Sequence, residues 1–153
     1  MKRTLKHAVA AIFLILNFGE PVAAGPAEDR LGLERQRAEQ GHGLSQYFLG
    51  LFYEQGKDVP QDYAEALKWF RLAADQGLAN AQFQLGLMYY AGRGVPQDLV
   101  RAHMWFNLST SQGYDVAEAF RDQVVEHMTP AQIAEAQKLA RDWKPQPERQ
   151  PNR

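Results

Sequence analysis

The sequence predicts an all-α protein, a short α-solenoid of antiparallel helix pairs with about seven helices. Three observations carry that expectation. Residues 44–79 and 80–115 are two copies of one unit, identical at 16 of 36 aligned positions. Whole words recur at that offset: Val59-Pro60-Gln61-Asp62 returns as Val95-Pro96-Gln97-Asp98, Leu49-Gly50-Leu51 as Leu85-Gly86-Leu87, and Trp69-Phe70 as Trp105-Phe106. Within each copy, helical spacing of apolar residues gives way to a glycine and proline break and then resumes. A repeat of this length builds a solenoid whose units bury their apolar faces only against their neighbours. Such a fold presents a long surface rather than an enclosed catalytic pocket.

Taken in order, the chain opens with a leader. Lys2, Arg3 and Lys6 precede an apolar run from Ala8 to Phe18, and Gly19, Glu20 and Pro21 break it before the small residues Val22-Ala23-Ala24. This is the order of a secretory signal peptide, with cleavage expected after Ala24 and a bacterial periplasmic or secreted destination. The competing reading, an uncleaved anchor, needs about 20 apolar residues to span a bilayer, and the run is shorter. Without residues 1–24 the chain carries 14 Lys and Arg against 17 Asp and Glu, a net charge of −3. Its 129 residues suffice for one domain. There is no cysteine, so an exported form stands on its core without disulfides. No run of Lys or Arg offers the basic face that phosphate binding requires, which argues against a nucleic-acid partner.

After a linker at 25–28 comes a half-unit at 29–41. Gln40-Gly41 lies 36 residues before Gln76-Gly77, so Asp29 to Gln40 is read as a lone second helix with Leu33 in the slot of Trp69. Its Leu31 and Leu33 have no preceding unit to cover them, which makes self-association through this half-unit an expectation. In the first full copy Asp62 caps the second helix with Glu65 at capping-box spacing, and Gly77 ends it. In the second copy Ala81, Leu85, Met88 and Tyr89 share one helix face, and Gly92-Arg93-Gly94-Val95-Pro96 stops that helix. Asp98 caps the next helix, Ala102, Trp105, Phe106 and Leu108 form its stripe, and Gly113 ends it.

Residues 115–143 are expected to close the solenoid. Asp115 and Glu118 make a capping pair before Val116, Phe120 and Val124. Thr129-Pro130-Ala131-Gln132 is a stronger start signal, with threonine as cap, proline at the first helical position and glutamine as box partner. Ile133, Ala136, Ala140 and Trp143 follow at helical spacing. The last stretch, 144–153, holds three prolines and no apolar pattern, so it is expected to be a disordered tail.

The pattern Ala81, Leu85-Gly86, Tyr89, Gly92, Gly94-Val95, Asp98, Ala102 and Trp105-Phe106 resembles the Sel-one-like repeat, a relative of the tetratricopeptide repeat. The first copy matches through Leu49-Gly50, Tyr53, Gly56, Val59, Asp62, Ala66, Trp69-Phe70, Ala73-Ala74 and Gly77. It departs at Asp58, where the family has glycine, and at Ser45, where it has alanine; the second copy departs at Ser109-Thr110. The resemblance implies a right-handed superhelix acting as an interaction scaffold or adaptor, with the first helix of each pair lining a concave groove. The groove-facing positions would be Leu44, Tyr47, Phe48, Leu51 and Glu54 in one unit and Asn80, Phe83, Gln84, Leu87 and Tyr90 in the next. From this strip Tyr47, Phe48, Leu51, Glu54, Phe83, Gln84, Leu87 and Tyr90 are the candidate partner-binding residues, because aromatics recur as binding anchors. The partner expected is an unidentified protein or peptide, with no membrane contact after leader cleavage.

Some exported members of that family, with cysteine-linked repeats, are associated with β-lactam binding or hydrolysis. A cell-wall-ligand or hydrolytic role is therefore the alternative by analogy, and the missing cysteines weaken it. The residues give that alternative no chemistry. His42, His103 and His127 lie in different units without a second ligand at metal spacing, so no metal site is expected. Neither a Gly-x-Ser-x-Gly nor a Ser-x-x-Lys motif occurs. Gly92-Arg93-Gly94 lacks the lysine and preceding strand of a phosphate loop. Asp62, Asp98 and Asp115 are each accounted for as helix caps. No catalytic residue and no cofactor is expected.

Overall fold

Seven helices follow one another in the described residues, 26–147 of a computed structural model, and no strand occurs among them. They are α1 (Pro26–Glu39), α2 (Gly43–Gln55), α3 (Tyr63–Asp75), α4 (Ala79–Ala91), α5 (Leu99–Ser111), α6 (Val116–Val125) and α7 (Pro130–Asp142). The expected leader lies outside the described residues. Within the repeats α2 pairs with α3 and α4 with α5, while α3 packs on α4 between units. At the ends α1 lies against α2, and both α6 and α7 pack on α5.

Local chemistry sets the helix boundaries. The Asp62 carboxylate accepts the N–H groups of Ala64 and Glu65 at 2.9 and 3.0 Å, and Asp98 accepts that of Arg101 at 2.9 Å. Thr129 and Gln132 complete the expected capping box, with Pro130 at the first helical position. Two expected boxes form differently. Glu65 does not reach back to Asp62 but pairs with Lys68 at 3.6 Å. Asp115 makes no side-chain cap because its backbone is already helical (φ −61°, ψ −27°), and Glu118 pairs with Arg121 instead. Tight backbone bonds from Ala117 N–H to Tyr114 and from Glu118 N–H to Asp115 take over there.

The core explains the repeated words. Phe70 and Phe106 are fully buried, and Trp69 and Trp105 nearly so. A Cβ on Gly50 would stand 2.6 Å from the Phe70 ring, and one on Gly86 would strike the Phe106 ring closer still. The Leu-Gly word thus exists to let the second helix drive a phenylalanine against the backbone of the first. Between units, buried glutamines form the link. Gln46 donates to the Ala38 carbonyl at 3.1 Å and Gln82, 36 residues on, to the Ala74 carbonyl at 3.3 Å. Each ties the first helix of one unit to the C-terminal turn of the helix before it.

The departures from the repeat pattern are accommodated by specific contacts. Ser109 and Thr110 turn their hydroxyls onto the carbonyls of Ala79 and Phe106 at 2.7 and 3.0 Å, so no buried hydroxyl there goes unmet. Gly94 sits at φ +67° with its Cα pressed to the start of α3, where a Cβ would lie 2.5 Å from the Tyr63 carbonyl oxygen. Asp58, at the equivalent place, adopts nearly the same left-handed φ of +61° and is exposed.

The expected tail does not begin free at Lys144. Trp143 stacks edge-on to Trp105 with centroids 6.3 Å apart, and the Gln146 N–H donates to the Asp75 carbonyl at 2.7 Å. Residues 144–147 therefore fold back over the end of α3, and 148–153 lie outside the described residues.

Gly86→Ala tests the helix contact. Helix propensity alone would gain about 1 kcal/mol, but forcing a methyl into a rigid ring gives an expected net loss of about 1–3 kcal/mol in urea denaturation. The loss should shrink in a Phe106→Leu background, since the two residues share one contact.

Candidate interaction surface

The strip that the repeat pattern assigns to the groove lies on α2 and α4, and the structure sorts its residues into three environments. Phe83 is buried, 9 % exposed, with its ring 5.7 Å from Phe106, 5.2 Å from Tyr114 and 5.1 Å from Phe120. It is a packing residue between units, because α6 places Phe120 on top of it. Tyr47, its counterpart one unit earlier, stands 5.9 Å from Phe70 and is only half-buried. There the covering position is Gln84, which reaches the Tyr47 hydroxyl; burial is the main cause holding that hydroxyl's pKa above its usual value.

A second group is half-exposed on the first helices. Leu51, Leu87 and Tyr90 rest against the core with part of each side chain open, and Gln84 is likewise half-buried. Glu54 lies beside them. Burial raises its carboxyl pKa, and Arg93, reaching over from the next unit's loop, offsets part of that rise. Arg93 also lies 5.8 Å over the Tyr63 ring.

The third group forms a pocket of about 140 Å³ at the first-unit end, lined by Arg30, Phe48, Leu51, Phe52, Gln55 and Lys57. Phe48 and Leu51 are the candidate residues brought together here. The Arg30 guanidinium sits 5.7 Å over the Phe48 ring. Arg30, Lys57 and Tyr114 were not among the sequence candidates. A signal for Arg30 was present, since it stands 36 and 72 residues before the buried alanines Ala66 and Ala102. Lys57 likewise aligns with Arg93.

Elsewhere the chemistry is structural. Among the described residues no three His, Asp or Glu side chains gather in a group able to hold a metal ion. His42 and His127 are exposed, while His103 is 3 % exposed with its Nδ1 unpartnered. Burial lowers the His103 pKa from the usual 6.5; Arg121 adds to the lowering and Asp122 opposes it. The unfolded chain therefore binds a proton below about pH 6.5 that the folded chain resists, so native stability falls as pH drops through that value. Thermal melts should lose more between about pH 7.5 and pH 5.5 for wild type than for His103→Leu, the residue found at position 67.

Comparison with known proteins places these observations. The Sel1 repeat profile matches residues 43–78 and 79–114. A crystal structure of a protective antigen present in uropathogenic Escherichia coli strains, displaying an SLR fold, is 31% identical with a TM-score of 0.74 and covers 92% of this chain. A Sel1 repeat protein from Oxalobacter formigenes is 32% identical with a TM-score of 0.58 and covers 60% of this chain. This chain spans 29% and 37% of the lengths of those two proteins. No curated protein sequence matches it.

Proposed function

Residues 43–114 are two Sel1 repeats of a family whose members serve generally as protein–protein interaction scaffolds, and we propose that this chain is such an adaptor in the bacterial cell envelope, binding a protein or peptide on its first-helix face. One observation carries the reading. Phe48 and Leu51 on α2 and Gln84, Leu87 and Tyr90 on α4 are only partly buried, so the first helices of both repeats carry a partly open strip rich in apolar side chains. Apolar side chains held by a rigid scaffold at a solvent boundary favour a partner that removes them from water. Tyr47, Glu54 and Gln84 add hydroxyl, carboxyl and amide groups that give such a contact direction. Phe83 supports the strip from beneath as core.

Export rests on the leader: a basic start, an apolar run and Val22-Ala23-Ala24. Protein recovered from the periplasm or medium is expected to begin at Gly25 by mass spectrometry, and recovery of the intact leader would overturn this. The hydrolytic alternative draws no support from a nucleophile paired with a base.

The binding test is a paired capture from an envelope extract using wild type and Leu87→Glu as baits, with matched helicity by circular dichroism. A protein held stoichiometrically by wild type is expected to be lost by the variant, because a carboxylate there would be buried against the partner. An empty capture from both folded baits would overturn the adaptor reading.

A further inference from the structure

The two full units define a series of contacts between successive first helices. Tyr47 on α2 is covered by Gln84 on α4, and Phe83 on α4 is covered by Phe120 on α6. The covering residues 84 and 120 are one repeat apart, and Phe48 is the member of that series before Gln84. Its side of α2 therefore faces the place where the first helix of a preceding unit would lie. Among the described residues α1 is a second helix without its first, and no helix occupies that place. What stands there is the pocket floored by Phe48, Leu51 and Phe52 and rimmed by Arg30, Gln55 and Lys57.

We infer that this seat takes an amphipathic α-helix from a partner protein, with an apolar stripe flanked by acidic residues. The inference rests on the adaptor reading and names the class of partner. Three features select that occupant. This side of α2 is a helix-packing face, the side that the equivalent positions Gln84 and Phe120 turn toward a neighbouring first helix. The volume of about 140 Å³ is too small for a typical small-molecule site and suits one or two side-chain anchors of a docked helix. The rim charge is of one sign: Arg30 and Lys57 are exposed and make no ion pair among the described residues. Where full units bury Ala66 and Ala102, Arg30 lays its guanidinium over Phe48, free to meet a carboxylate.

The probe is a stapled peptide with a leucine stripe flanked by glutamates, and its control carries lysines instead of the glutamates. Fluorescence anisotropy with the processed full-chain protein is expected to give saturable binding of the glutamate peptide, weakened about tenfold or more for the lysine peptide. Phe48→Gln, which installs the residue native to position 84 and so respects the fold, should abolish binding. Arg30→Glu should invert the preference between the two peptides. No saturable binding by folded wild type, or binding indifferent to both substitutions, would overturn the seat. Binding lost with Leu87→Glu but kept in Phe48→Gln would place the helix on α4 and overturn it too. A dimer dissolved by Phe48→Gln would hand the seat to a second copy. Failure of the peptide alongside an envelope partner lost in Leu87→Glu would sink this inference and leave the adaptor reading standing.

Discussion

The approach of two helices to within the thickness of a phenyl ring is the constraint on which the repeat depends. Phe70 and Phe106 are fully buried because Gly50 and Gly86 leave nothing between ring and backbone. Burying one such side chain contributes about 1.5–3 kcal/mol, and the contact also fixes the axial register of the pair. From that register Trp69 and Trp105, at the preceding positions, are directed to the seam between units. It also turns the opposite side of each first helix outward, so the half-exposed strip is a consequence of the same packing.

Polar groups set the spacing between units. Gln46 and Gln82 use their amide N–H groups on the last turn of the preceding helix, where carbonyls lack helical partners. In the first link Gln76 also donates to the Gln46 side-chain oxygen and to the Gly41 carbonyl, both at 2.9 Å. In the second, the Gln82 side-chain oxygen is buried and unpartnered. The aligned Gln112 is exposed and does not supply that donor. Unmet buried polar groups are costly, and each seam carries one, since Trp69 Nε1, packed with Ala38 and Leu49 at the first, is also buried and unpartnered. The aromatic packing of the second is the richer.

The ends of a solenoid must solve a problem its middle does not have, and this chain solves it unequally. At the C-terminal end Phe120 covers Phe83, Trp143 covers Trp105, and residues 144–147 fold back to the end of α3. Leu33 takes the tryptophan slot at the other end and stays 44 % exposed, and Leu44 at the start of α2 is 56 % exposed. The capped end behaves as the finish of a core. Among the described residues the other end leaves the Leu33 slot uncovered.

Sequence by itself determined the period, the helix pairs and most of their caps, because those depend on contacts within a few residues or on identities repeated at a fixed offset. Asp62, Asp98 and the Thr129–Gln132 box needed no tertiary information. The buried Trp-Phe words and the Leu-Gly words could be located from spacing, although the reason for the glycine, a ring from another helix, could not. Only the tertiary structure decided which strip residues are surface. Tyr47 and Phe83 occupy the same repeat position, yet one is half-buried under Gln84 and the other buried under Phe120 and Tyr114. Exposure at such a position depends on what the next unit places over it. The same holds for Arg30 on α1 and Lys57 in the turn after α2, which line one pocket with Phe48 and have no meaning as a site until the fold brings them together.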